Sequence, residues 1–390
     1  MTTPDKNHQL LIENVVSAAA APASEISARV AELGPAAVAE VVLAEVTGRT
    51  ALLPGPTEQV LIQCHFAFGS ARVDCVVHLG PEKIAIEAGS SEDAQATIKQ
   101  DLVDLLREVF GPAGNHGATR EVSIREGETF PAMDPADPVT RRRAETVAAL
   151  RQLLDALGQH RRSLTDLAVA FGSDKWGAHW YTPLYERYFE PYREQQVKVL
   201  EIGVGGYKAV DAGGESLRMW KHYFRRGMIY GLDLFDKSGL AEPRVQLLQG
   251  DQGDQQFLEA LAREHGPFDI VIDDGSHISD HVIASFHALL PHVRPGGMYV
   301  VEDLQTSYWP DWGGNPDPKA SGTSMSMIKS LLDGLNHQEQ MREGGPAPLL
   351  TERLVTGVHA HHNIVFIDKG LNTEERWPPS RWFAGTGSAD

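Results

Sequence analysis

The chain has 390 residues, enough for two domains, and a 42 % hydrophobic fraction sufficient for a packed core. Its 53 acidic residues against 35 basic ones leave a formal charge of −18, which excludes a surface built to neutralise nucleic-acid phosphates or to hold anionic lipid. Two cysteines, Cys64 and Cys75, sit in separate apolar runs rather than in a CxxC cluster, so they read as reduced, buried thiols. The opening MTTPDKNHQLLIENVV lacks a cationic stretch followed by an apolar one, and no apolar run reaches membrane-spanning length. The expectation is a cytoplasmic protein.

From residue 10 to 48 apolar residues recur at helical spacing, with a break at Gly34-Pro35. Val60–Phe68 and residues 72–79 alternate like strands around Gly69-Ser70-Ala71, predicting a hairpin, and residues 83–87 predict a third strand. Residues 91–110 read as one amphipathic helix opened by Ser-Glu-Asp and closed by Gly111-Pro112. The stretch GPAGNHGATREVSIREGETFPAMDPADP reads as a connection. A helix over 141–157 follows, with Val147, Leu150, Leu153, Leu154 and Leu157 on one face. The expected division is an α+β auxiliary domain (1–111), a connection with its helix (112–160) and a main domain (161–390).

The main domain alternates strands and helices, the signature of a mostly parallel α/β sheet. KVLEIG, IYGLDLF, VQLLQGD, FDIVIDDG and MYVVEDL are short apolar runs ending in acid or glycine, with helices over 255–264 and 280–290 between them. RLVTGVHA and NIVFIDKG predict an antiparallel hairpin at the sheet edge.

Strand-end chemistry carries the functional reading. The loop Glu201-Ile-Gly203-Val-Gly205-Gly206 exposes amide donors to a ligand, but Lys208 stands where the dinucleotide fingerprint needs its third glycine. Asp233 ends the next strand, where an acid accepts ribose hydroxyls. Asp251 and Gln252 follow a third strand and suit an adenine edge. Asp273-Asp274-Gly-Ser-His277 ends the fourth strand and Glu302-Asp303 the fifth. Carboxylates converging at one sheet edge repel each other without a counter-charge. Asp274, Glu302 and Asp303 therefore form a candidate oxygen site for magnesium, manganese or calcium. His277 is placed to act as a base.

Those motifs, with GSDKWGAHWYTPLYERYF, SLRMWKHYF and HVRPGGMYVVEDL, resemble the macrolide and polyketide sugar O-methyltransferases of actinomycetes over roughly residues 165–370. The resemblance implies a class I, Rossmann-like methyltransferase fold with an auxiliary N-terminal domain, S-adenosylmethionine (SAM) as methyl donor and Mg²⁺. It implies Asp274, Glu302 and Asp303 as metal ligands, His277 as base, and Gly203, Gly205, Ser216, Asp233, Asp251 and Gln252 around SAM, with Glu201 and Asp273 counted in the same set. Residues 179–185 are placed at the cofactor or substrate pocket. The implied substrate is a deoxysugar hydroxyl on a glycosylated macrolide or polyketide, and the implied assembly is a homodimer or homotetramer, with no nucleic-acid or membrane partner. Tyr308-Trp309-Pro310-Asp311-Trp312 and residues 377–382 are candidate apolar surface for an aglycone, and Gly313-Gly314 a lid hinge. An NAD(P)-dependent oxidoreductase and a non-catalytic scaffold with a methyltransferase fold are the competing readings.

Overall fold

The computed structural model describes residues 6–81, 84–114, 118–125, 137–340 and 347–374. Residues 377–382 lie outside these, so the aromatic surface expected there is not described.

Three helices open the chain: α1 (Lys6–Ala18), α2 (Ala23–Leu33) and α3 (Pro35–Thr50). Gly34 at φ 90° ends α2 and Pro35 starts α3, as the Gly-Pro pair predicts. Strands β1 (Val60–Phe68), β2 (Ala71–Leu79), β3 (Ala85–Ala88), β4 (Ala96–Asp101) and, after α4 (Leu102–Phe110), β5 (Glu121–Ile124) form a sheet of order β3-β2-β1-β4-β5. The expected hairpin is β1 and β2, with Cys64 directly opposite Cys75.

The single helix expected over 91–110 is corrected. Its first half is β4, running parallel to β1, and α4 begins only at Leu102. Asp101, not Ser91, caps the helix by accepting from the Val103 and Asp104 amides. The connection expected after Gly111 contributes β5, antiparallel to β4. Helix α5 (Pro138–Leu157) buries Ala149, Leu150, Leu153 and Leu157 but leaves Val147 on its exposed side.

The second half begins with α6 (Leu164–Phe171) and α7 (Thr182–Phe189). Then β6 (Lys198–Ile202), α8 (Glu215–Tyr223), β7 (Met228–Asp233), β8 (Val245–Gln249), α9 (Gln255–His265), β9 (Phe268–Asp273), α10 (Ser279–Leu289) and β10 (Val293–Val301) alternate. After α11 (Ser324–Gly334) and the short α12 (Leu350–Leu354), β11 (Val355–His361) and β12 (Ile364–Lys369) close the chain. The sheet order is β11-β12-β10-β9-β6-β7-β8, and only β12 runs against the others, pairing antiparallel with both β10 and β11. Both faces are dry: Leu200, Leu232, Val271 and Val301 pack into one core, while Val199, Ile229, Ile270 and Val300 pack into the other. Burial on both faces is why these strands read as continuous apolar runs rather than alternating ones. Their carboxyl ends, and the acids that terminate them, meet at one edge. No helix among the described residues is long and apolar enough to cross a membrane.

Candidate active site

The carboxyl ends of β6 to β10 open onto a cavity of about 710 Å³. Gly203, Gly205, Ser216, Asp233, Asp251 and Gln252 all line it. Gly203 has φ +94°, and a Cβ there would lie 2.0 Å from the Asp274 carbonyl oxygen, so the crossing of the first and fourth strand ends requires glycine. The polar insertion after the loop delays α8 to Glu215, and the loop from Gly203 to Tyr207 lines the cavity ahead of it. Asp233 is oriented by that loop, accepting from the Val204 amide at 3.0 Å and the Phe235 amide at 2.9 Å.

Glu201 and Asp273 do not line the cavity; they brace it from behind. Glu201 is fully buried and accepts from Ser216 Oγ at 2.7 Å, which fixes a cavity residue on α8. Burial pushes its carboxyl above the usual range, and Lys175 opposes that push. Asp273 accepts from Gln252 Nε2 and from Ser285 Oγ, both at 2.6 Å. Gln252 in turn accepts from the Ser276 amide at 2.9 Å, so the acid sets the shape of the wall. Burial pushes the Asp273 carboxyl up to about 6, against hydrogen bonds from Ser285 and Gln252 and the charge of His277.

At the floor, Asp274, His277 and Asp303 each offer a ligand atom within 4.8 Å of one another. His277 Nε2 lies 3.5 Å from Asp303 Oδ2. Both residues adopt left-handed backbone conformations, at φ 57° and 54°. Such conformations cost a non-glycine residue about 1–3 kcal/mol, and they turn two strand-end side chains toward one point. Asp303 Oδ1 accepts from Tyr181 Oη at 2.9 Å, and His179 stacks on the Tyr181 ring.

Glu302 stands apart from this trio. Its Oε1 accepts from Lys175 Nζ at 2.7 Å and from Tyr185 Oη. Lys175 is buried, also reaches Asp274 Oδ2 at 2.6 Å and lies 3.4 Å from Glu201 Oε1. Burial alone would favour its neutral form, but Asp274, Glu302 and Glu201 together raise its pKa well above the ordinary value. One ammonium therefore faces three carboxylates, with Asp303 a fourth beside them. That surplus of negative charge, with carboxylate and imidazole donors at hand, fits a divalent cation.

Lys175 is the site residue that motif reading does not pick out. Residues 179–185 do reach the site, but Tyr181 and Tyr185 grip its acids rather than line the cavity. On the segment that follows Asp303, Trp309 and Trp312 stack edge-on with ring centroids 5.5 Å apart, partly exposed. At Gly313-Gly314 the chain makes a turn in which Gly313 N bonds to Pro310 O and Gly314 N to Trp309 O, both at 3.0 Å.

Known proteins match this chain over most of its length. Residues 12–120 match the family model "MycE methyltransferase N-terminal", and residues 148–304 match "Methyltransferase domain". The chain is 40 % identical to mycinamicin VI 2''-O-methyltransferase of Micromonospora griseorubida, over 96 % of this chain and 94 % of that protein. The chain belongs to the family of macrolide and polyketide sugar O-methyltransferases. A second member, demethylmacrocin O-methyltransferase of Streptomyces fradiae, is 42 % identical over 93 % of this chain and 92 % of its own length. The solved MycE methyltransferase in complex with Mg, SAH and mycinamycin VI superposes with a TM-score of 0.83 at 39 % identity, covering 96 % of both chains. Membership in this sugar O-methyltransferase family removes the oxidoreductase reading, and the N-terminal family model covers this chain's auxiliary domain.

Proposed function

We propose that this protein transfers a methyl group from SAM to a deoxysugar hydroxyl on a glycosylated macrolide or polyketide, with Mg²⁺ at the strand-end acids. The observation that carries the reading is the convergence of Asp274, His277 and Asp303 on the floor of a cavity walled by the glycine loop. The named relatives act on mycinamicin VI and demethylmacrocin, and a solved relative holds Mg and SAH.

SAM would lie along the cavity, its ribose toward Asp233 and its adenine toward Asp251 and Gln252. Asp274 and Asp303 would hold the cation, with Glu302 behind them held by Lys175 and Tyr185. The bound cation supplies positive charge that makes a nearby sugar hydroxyl a stronger acid. His277 would take the hydroxyl proton at Nε2, where the Asp303 carboxylate lies beside the imidazolium that forms. The hydroxyl oxygen then forms its bond to the methyl carbon as the sulfur–carbon bond breaks, and the sulfonium becomes a neutral thioether. Holding nucleophile, methyl and sulfur in line supplies much of the acceleration. Trp309 and Trp312 offer partly exposed apolar surface to an aglycone, and the auxiliary domain is assigned to a homo-oligomer, checked by light scattering.

The test is methyl transfer from labelled SAM to glycosylated macrolactones, with and without EDTA, in the wild type and His277→Ala. The reading expects activity that EDTA abolishes and a fall of about 10²–10⁴ in kcat for the variant, with SAH and Mg²⁺ binding retained. Turnover in EDTA would remove the metal. Loss of Mg²⁺ binding in His277→Ala would make the histidine a ligand instead of the base.

A further inference from the structure

A second cavity, of about 340 Å³, lies where the end of α3 meets the end of α5, the segment before α6 and the end of α8. It joins the auxiliary half to the main half and shares no lining residue with the cofactor cavity. Three guanidiniums line it, those of Arg49, Arg162 and Arg225. In a chain with 18 more acids than bases, this concentration of cations runs against the composition.

Much of their hydrogen bonding goes to neutral carbonyls. Arg162 Nη2 donates to Leu52 O at 3.0 Å, Arg225 Nη2 to Gly111 O at 3.1 Å, and Arg49 Nη2 to Val109 O at 3.0 Å. The acids they reach are shared. Glu45, 3.1 Å from Arg49 Nε, also takes a bidentate contact from Arg244. Glu194, 3.2 Å from Arg225, also takes Arg161. The one acid lining the cavity, Asp155, lies 3.7 Å from His160 Nε2. Arg49 Nη1 is buried and has no hydrogen-bond partner.

We infer that this interdomain cavity binds a small phosphate-bearing anion, with Arg49, Arg162 and Arg225 as its guanidinium contacts. A guanidinium fork matches phosphate or carboxylate oxygens in geometry. The charge decides between them: several cations that share too few acids match a group carrying close to two negative charges at neutral pH. The walls at Leu53 and Ala156 give an apolar side to an organic body, and the volume is at the small end of ligand sites, suiting a phosphomonoester rather than a dinucleotide. Burial, with neighbouring Arg225 and Arg244, pushes Arg49 down to about 10, and burial, with Lys221, Arg244 and Arg49, pushes His222 down to about 3; Glu45 opposes both.

The test is calorimetric titration of inorganic phosphate and, separately, fructose 6-phosphate into the SAH-loaded full chain, in chloride buffer of matched ionic strength. The expected result is one saturable site with Kd of about 1 mM or below for at least one probe. Affinity should fall at least about tenfold in Arg49→Gln and in Arg162→Gln, with SAH affinity unchanged. Tighter binding of the sugar phosphate assigns the apolar wall to an organic body; equal binding assigns the site to inorganic phosphate. If Arg49→Gln fails to fold, Arg162→Gln decides, since Arg162 lies on the segment between α5 and α6 and is only partly buried. No saturable heat with either probe, or unaltered affinity in Arg162→Gln, overturns the assignment.

Discussion

His277 and Asp303, at φ 57° and 54°, carry their strain at the point where the proposed chemistry occurs, and the groups around them hold it in place. Among those groups Lys175 does the largest electrostatic job, because it is the buried cation that bridges Asp274 and Glu302. Replacing it by methionine leaves buried carboxylates without their partner, an arrangement that costs about 3–5 kcal/mol when one side of a buried pair is removed. A dication at the same acids would take over part of that role. Thermal unfolding of Lys175→Met should therefore show a larger loss in EDTA than in magnesium; equal losses would separate Lys175 from the metal cluster. Asp273 gives a test of the opposite sign. Its folded pKa, raised to about 6 by burial, exceeds the ordinary aspartate value, so the stability it contributes is complete at low pH and lost as pH rises through about 6. The two-unit difference corresponds to on the order of 3 kcal/mol. The wild type should lose ground against Asp273→Asn between pH 4 and pH 7, measured as the difference in denaturation midpoints. A constant difference would mean the buried acid does not titrate there.

At the scale of elements, the strands of the second sheet were legible because each is a β-branched run that stops in acid or glycine, and those terminal residues are the site. The glycine loop was legible for the same reason: Gly203 leaves no room for a side chain beside Asp274 O. Gly203→Ala should weaken SAH binding by well over tenfold with the far sheet intact, since the clash forces β6 and β9 apart only at their carboxyl ends; calorimetry with far-UV circular dichroism separates the two effects. Ala96–Asp101 was not legible as a strand. Its burial alternates on a period of two, but Ser91-Glu92-Asp93 upstream resembles a helix start, and only pairing with β1, some 30 residues earlier, decides between them. Lys175 was hidden by distance. It meets Asp274 and Glu302 across 99 and 127 residues, and a single lysine among aromatics has no period or spacing to mark it. Glu201 and Asp273 show the converse limit, since strand-end position announces an acid near the site without saying on which side of the wall it lies.

For the whole molecule, a buried ion pair crosses the joint between the halves. Glu45 on α3 receives Arg244 Nη2 at 2.7 Å and Nε at 3.0 Å, and both side chains are almost fully buried. Arg244 also donates to the carbonyls of Phe224, Gly227 and Lys221, so it closes the end of α8 as well as the joint. Charges from Arg244, Arg49 and Lys221 outweigh burial and hold the Glu45 carboxyl well below the usual range. Glu45→Gln leaves two buried guanidiniums sharing no carboxylate, at a cost of about 3–5 kcal/mol. The sequence itself supplies a reporter for where that cost is felt. All seven tryptophans fall at position 176 or later, so tryptophan fluorescence follows the main half alone, whereas far-UV circular dichroism follows both. If the ion pair couples the halves, Glu45→Gln should lower the tryptophan-detected midpoint although the substitution lies in the auxiliary half, and the two signals should part where in the wild type they coincide. An unchanged tryptophan midpoint would mean that the main half stands without its auxiliary domain and that the buried pair stabilises α3 alone.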